Sequence, residues 1–223
     1  MPQGDYVTGP MRNPLRPDPA SAPARLRGRP RSFDRDAALE AAMRLFWARG
    51  YEATSVGELA AALGIHPPSL YAAFGDKRRL FSEVVARYQA GPGGYGAASL
   101  SDPSLPTREA IGRLLRDAAS AFTRPCDPHG CLVVLAATNC GAEADDVAED
   151  LAARRAGTEA AIRARIERGL AEKDVAPHTD AAALTGLVAT TLFGMSIKAR
   201  DGASRADLEA IVDHLLAAWP SSS

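Results

Sequence analysis

Cysteine is scarce in this 223-residue sequence, which holds only Cys126, Cys131 and Cys140. An odd, small number argues against a secreted disulfide scaffold. Long apolar runs are missing: the longest fall far short of the roughly 20 residues that span a bilayer. The first 24 residues carry no apolar signal core, so the expectation is a cytoplasmic protein with no membrane partner. Charge of one sign is missing as well, since the formal net charge is −1; nothing global points to nucleic acid. Nucleophile-elbow, phosphate-loop and metalloprotease motifs are absent, and His66, His129, His178 and His214 fall in different segments. Neither catalysis nor a cofactor is therefore expected. No convincing strand pattern appears, so the fold is expected to be all-α, with about nine helices.

What is present is a charge asymmetry and a clear punctuation of the chain. Residues 25–90 hold 11 Lys/Arg against 7 Asp/Glu, a balance of +4, and residues 107–219 hold 13 against 17, a balance of −4. A basic end and an acidic end imply that only one end approaches phosphates. Residues 1–24 contain six prolines and too little apolar clustering to offset ordering entropy, so a disordered tail is expected. Residues 91–106, rich in Gly, Pro and Ser, read as a linker. These marks divide the chain into a tail (1–24), a basic arm with a first helical part (25–90), the linker (91–106) and a second helical part (107–219); the resemblance given below implies that the first binds DNA and the second regulates and dimerises.

The stretch from Thr54 to Lys77 organises the rest. Ser55 and Glu58 fit a capping box. Val56, Leu59, Ala60 and Leu63 recur at helical spacing. Gly64 tolerates the positive φ that ends a helix, and Pro67 and Pro68 suit the first turn of the next one. Leu70, Tyr71 and Phe74 complete a second short helix that Gly75 can close. Two helices of about eight residues across a Gly-containing turn describe a helix-turn-helix, whose second helix enters the major groove. A helix capped by Asp34 precedes it, with Leu39, Ala42, Met43, Phe46 and Trp47 as its buried stripe. Another, capped by Asp76, follows it.

With its preceding helix, this stretch resembles the DNA-binding domain of the tetracycline-repressor (TetR) family of bacterial regulators. The matching residues are Gly50-Tyr51, Thr54-Ser55, Leu59-Ala60, Leu63-Gly64-Ile65, Leu70-Tyr71, Phe74, Lys77 and Leu80-Phe81. The resemblance is strong over Phe33–Tyr88 and beyond that is mostly one of helix number and order, although residues 130–139 also resemble a regulatory pattern of some relatives. It implies an N-terminal three-helix helix-turn-helix domain followed by a C-terminal ligand-binding and dimerisation domain. The partners it implies are a palindromic double-stranded operator, a largely apolar small-molecule effector that releases a repressor from it, and a second copy of the chain joined through the last two helices.

The residues expected to face DNA are Thr54, Ser55, His66, Pro67, Pro68, Ser69, Tyr71 and Lys77. By resemblance, the Tyr71 hydroxyl and Lys77 meet phosphate. His66 departs from a usual serine or threonine cap, and Ala72 and Ala73 from larger residues, which thins the contact set. Arg27 and Arg29 in the RLRGRPR arm resemble an AT-hook, whose arginines enter a narrow minor groove; the alternative is a solvated basic tail. Phe122, Leu135, Asn139 and Phe193 are candidate effector contacts, chosen for size, polarity and placement.

The regulatory part reads as helices over residues 107–122, 130–139, 145–173, 179–200 (capped by Thr179) and 204–219. Leu187 and Thr191 are placed inward in the fourth of these, and Ile211 and Leu215 in the fifth. Cys126, His129, Cys131 and Cys140 could suggest zinc. If residues 130–139 are helical, however, Cys140 lies about 13 Å along the axis from Cys131, too far for one ion. The alternative to an effector-responsive regulator is a thiol sensor using Cys126 and Cys131; a further one is an enzyme or carrier built on the same scaffold.

Overall fold

Short polar side chains and glycines set the ends of the first helices. In the computed structural model, which describes residues 34–138 and 140–220, Asp34 caps α1 (Arg35–Arg49) by accepting from the Asp36 and Ala37 amides. The expectations for the 1–24 tail, for Arg27 and Arg29, and for Asn139 lie outside those residues. Gly50, at φ 86°, closes α1. Ahead of α2 (Val56–Leu63), Ser55 Oγ accepts from the Glu58 amide at 3.2 Å and Glu58 Oε2 accepts from the Ser55 amide at 2.8 Å, the expected capping box. Gly64 turns left-handed at φ 66°. Pro67 and Pro68 open α3 (Pro67–Phe74), and Asp76 caps α4 (Lys77–Ala90) by accepting from the Arg79 amide at 2.7 Å.

The capping box has a pH signature. Hydrogen bonds from Ser55, backbone first, hold the Glu58 carboxyl below its ordinary value. A depressed folded-state pKa contributes stability that is present at neutral pH and lost as pH falls through that pKa. Ser55→Ala is expected to cost about 0.5–2 kcal/mol. Thermal melts should show the gap at pH 7 and show it narrowing below pH of about 4.

The apolar stripe of α1 is buried as the periodicity predicts: Leu39, Ala42, Met43, Phe46 and Trp47 are all enclosed. Phe46 meets Phe81 edge-on at 5.0 Å, and Trp47 meets Tyr88 edge-on at 4.8 Å. Leu59, Leu70 and Phe74 pin the helix-turn-helix onto that core.

The remaining elements are α5 (Ala97–Ser101), α6 (Thr107–Phe122), α7 (Leu132–Leu135), a 3₁₀ turn at Ala142–Ala144, α8 (Asp145–Glu172), α9 (Ala181–Arg200) and α10 (Arg205–Ala217). Among the described residues there are ten α-helices, rather than about nine, and no strand. The fold is all-α, and α8 packs on α9 and α6 on α10.

Four local expectations are corrected. First, helix α5 lies inside the stretch expected to be only a linker; it starts after Gly96, a φ 78° residue whose Cβ would sit 2.1 Å from Leu114 Cδ1. Second, α7 is a single turn instead of a helix over 130–139. The axial separation used against zinc therefore does not apply, although among the described residues no group of three or more His, Cys, Asp and Glu is placed to hold a metal. Third, α9 is capped by Asp180, not Thr179, because one carboxylate oxygen accepts both the Ala182 and Ala183 amides, at 2.9 and 3.1 Å.

The fourth concerns facing. Leu187 points outward and is 54% exposed, as is Ile197 at 51%. Thr191, Ile211 and Leu215 are only partly buried. Helix α9 is also long and apolar enough, by length and composition, to cross a bilayer, against the expectation that no apolar stretch approaches that length. Its Leu184, Val188, Leu192 and Met195 are buried among other helices.

Candidate nucleic-acid interface

Helix α3 is divided lengthwise. Leu70 and Phe74 are buried, whereas His66, Pro67, Pro68, Ser69 and Tyr71 are exposed, Tyr71 to 50%. Eight residues of helix are about 12 Å long, which matches the width of a major groove of about 12 Å. The N-terminus of α3 offers few donors to an anion. Its two prolines have no amide hydrogen, and the Ser69 and Leu70 amides both reach the His66 carbonyl, at 2.9 and 3.2 Å. His66 makes no side-chain cap. This tip therefore suits base edges and thymine methyls better than phosphate.

The N-terminus of α2 is the reverse. The Val56 and Gly57 amides have no hydrogen-bond partner among the described residues, and free amides at a helix start favour anions. Arg49 pairs with the Glu58 carboxylate beside them. Ser55 is exposed at this edge, but Thr54 is fully buried and its hydroxyl donates to the Gly50 carbonyl at 2.7 Å. The Thr54 hydroxyl is thereby spent on the α1–α2 turn and does not reach the surface.

The cations sort themselves by their partners. Of the seven Lys and Arg residues between 34 and 90, five hold a carboxylate: Arg35, Arg44, Arg49, Arg78 and Arg87. Lys77 and Arg79 make no ion pair among the described residues. The Lys77 ammonium lies 4.3 Å from the centre of the Tyr51 ring, and burial lowers its pKa. Arg79 shares an open groove with Tyr71, Ala72 and Gly75. In the sequence Arg79 stands with Lys77 and Arg78 in the basic first turn of α4, where only Lys77 is expected on DNA and at least one of the two arginines is expected on a solvated face. Arg78 is instead turned toward α8, where it meets Asp146 at 2.5 Å.

Behind this surface, residues from α4 to α9 line a partly open cavity of about 440 Å³. Its wall includes Tyr88, Tyr95, Leu114, Cys131, Val134 and Phe193. The Tyr95 hydroxyl lies 3.4 Å from Cys131 Sγ, and burial pushes the pKa values of Tyr88 and Tyr95 well above the ordinary tyrosine value. Both hydroxyls are therefore neutral donors at physiological pH. Of the effector contacts predicted, Phe193 lines the cavity. Phe122 stands behind Tyr95, edge-on at 5.1 Å. Leu135 faces a different cleft, with Gly50 and Cys140. Cys126 is exposed, Cys131 is buried, and both are free thiols; nothing in the arrangement favours a thiol sensor.

Cavity and interface meet at α7. Cys131, Val133 and Val134 form cavity wall. Immediately before them Gly130 O accepts from Trp47 Nε1 at 3.0 Å, and immediately after them Ala136 O accepts from the Tyr51 amide at 2.8 Å. At the end of α9 the Arg200 guanidinium donates to Trp47 O (2.7 Å), Ala48 O (2.9 Å) and His129 O (2.9 Å). The C-terminal end of α1 is thus hydrogen-bonded to Gly130 and Arg200, which lie close in sequence to cavity-wall residues without lining the cavity.

A helix-turn-helix with an exposed second helix, two cations beside it that make no ion pair among the described residues, and further helices packed behind it is the architecture of a DNA-binding transcriptional regulator. The model of the family described as "Bacterial regulatory proteins, tetR family" matches residues 38–84. The HTH-type transcriptional repressor ComR of Escherichia coli (strain K12) is 37% identical over 194 residues, covering 87% of this chain and 92% of that protein. The HTH-type transcriptional repressor BdcR of the same organism is 34% identical over 181 residues, covering 81% and 86%. A cysteine-substituted form of the TetR family regulator CifR, solved with 26-bp double-strand operator DNA, superimposes with a TM-score of 0.80 at 45% identity, covering 86% of this chain and all of that one. The chain belongs to the TetR family of bacterial transcriptional regulators.

Proposed function

We propose that this regulator is a cytoplasmic repressor that binds a palindromic operator as a homodimer and leaves it when a small molecule fills the 440 Å³ cavity. The relatives named as repressors, and the neighbour solved on its operator, support the first part. In the bound state Pro67, Pro68, Ser69 and His66 face base edges. Tyr71, Lys77 and Arg79 flank them on phosphate, Ser55 and the free α2 amides take another phosphate, and the Arg27 and Arg29 arm reaches the minor groove.

The observation that carries the effector role is α7, one turn that is cavity wall on one side and flanked by the hydrogen bonds to Trp47 and Tyr51 on the other. A ligand that fits the cavity better in one setting of α7 shifts the population between two settings of α1, and with it the separation of the recognition helices.

The dimer is supported by the outer face of α9 and α10. Leu187 and Ile197 are exposed, Ile211 and Leu215 half-covered. Gly186 and Gly194 have open space where a side chain would be, so another helix can approach closely. An isologous two-fold contact there presents two α3 helices to two half-sites. Leu187→Asp/Ile197→Asp is expected to elute as a monomer in size-exclusion chromatography and to bind the operator at least about 100-fold more weakly. A variant that remains dimeric with unchanged affinity would place the interface elsewhere.

A further inference from the structure

The cavity is charged in one direction only. Two arginines line it, Arg154 and Arg155, and no aspartate or glutamate does. Arg154 is neutralised: its Nε donates to Asp150 at 2.9 Å and Nη1 to the Gln89 amide oxygen. Arg155 is not. Its Nη1 donates to the Val133 carbonyl at 2.9 Å, and no carboxylate pairs with it among the described residues. A carbonyl accepts a hydrogen bond but supplies no counter-charge, and a partly enclosed charge without one is costly. The same wall holds a neutral Tyr95 hydroxyl whose only protein partner among the described residues is sulfur, a weak acceptor, at 3.4 Å. Apart from Tyr88, Gln89 and Thr158, which are uncharged, the remainder is apolar, with Leu100, Leu114, Val134, Leu192 and Phe193.

From this one-sided lining, and taking the cavity as the effector site proposed above, we infer that the effector is a monoanionic amphiphile, a carboxylate with an apolar body, whose head pairs with Arg155. A guanidinium is planar and can meet both oxygens of a carboxylate, which makes the pair strong and directional. A volume of 440 Å³ lies at the small end of ligand pockets, roughly 300–1,000 Å³, so the body is a short chain or a small ring system.

The test uses the full-length chain and three probes that share one body: octanoate, 1-octanol and octylamine. Calorimetric titration measures binding, and fluorescence anisotropy of labelled operator separately measures release. Octanoate is expected to bind at least about tenfold more tightly than octanol, and octylamine weakest. In Arg155→Met the octanoate advantage should fall to within about twofold while octanol affinity holds; in Arg154→Met the advantage should persist. Equal binding of octanoate and octanol by the parent, a preference for octylamine, or no binding of any probe would overturn the inference, and these outcomes need no variant to fold. The two readings separate cleanly. If octanol both binds and releases operator as well as octanoate does, the cavity is the effector site and the charge inference fails. If octanoate binds through Arg155 but leaves operator bound, the charge inference stands and the effector role fails.

Discussion

Gly130→Ala is expected to lower the stability of the protein by about 2–5 kcal/mol. Gly130 is buried at φ 82°, where an L side chain costs roughly 1–2 kcal/mol. A Cβ there would lie 2.7 Å from the Ser196 carbonyl oxygen and 2.6 Å from Leu135 Cδ1. The leucine can swing away, but the backbone carbonyl cannot, because it belongs to the interior of α9. Overpacking of that kind costs roughly 1–3 kcal/mol more. For a chain of this size each kcal/mol moves the melting temperature by roughly 2–4 °C, so a drop of the order of 10 °C is expected in scanning calorimetry. The residue also carries the carbonyl that Trp47 Nε1 meets and precedes the Cys131 amide that donates to Ser196 Oγ at 2.8 Å, so displacement there reaches both α1 and the cavity. A melting temperature within 2 °C of the parent would show that α7 and α9 are not packed this closely.

Arg200→Met is the second large effect. The guanidinium bridges three carbonyls, Trp47 O, Ala48 O and His129 O, and burial lowers its pKa. Methionine keeps the bulk and removes every donor. Hydrogen bonds from a charged group contribute roughly 1.5–3 kcal/mol each, but Ala48 and His129 are exposed and water can replace part of the loss. A net cost of about 2–3 kcal/mol is expected. Arg200→Lys should fall between the two, since one ammonium cannot span acceptors on two separate segments as a planar fork does. Thermal melts of the three proteins give the order. A lysine variant as stable as the parent would mean that charge suffices and the fork is irrelevant.

How much of this was legible in the sequence depends on how local each feature is. The helix-turn-helix is written in single residues: Ser55 and Glu58 cap, Gly64 reverses the chain, and Pro67 and Pro68 start the next helix. Each of these acts on its immediate neighbours, and the spacing alone locates them. Helix α9 is different. Its apolar and small residues fall on every side, so the pattern carries little phase and points Leu187 to the wrong face; only packing against α6, α8 and α10 decides which side is covered. The cavity was the least legible. Its wall is assembled from α4 to α9, and Tyr95 sits in a Gly- and Pro-rich stretch that composition marks as a linker. Phe122 has the right size but lies one layer behind Tyr95, and Leu135 falls on the far side of the single turn of α7. Thr54 illustrates the same limit in the interface: a threonine at a helix start can cap, bind phosphate or turn inward, and the Gly50 carbonyl decides for the last.

Under the proposed function, a dimer of this chain reads palindromic DNA through α3, with Tyr71, Lys77 and Arg79 holding the backbone beside it. The most direct measurement is anisotropy of the full-length protein on duplexes selected from a random pool, at 50 and 200 mM salt. The account predicts an enriched inverted repeat, bound by the dimer with an affinity that falls by about 10³-fold or more between the two salts if six or more phosphates are contacted. Arg79→Ala should then reduce the salt slope by about one. Recovery of no inverted repeat by a folded dimer, with binding independent of salt, would contradict it.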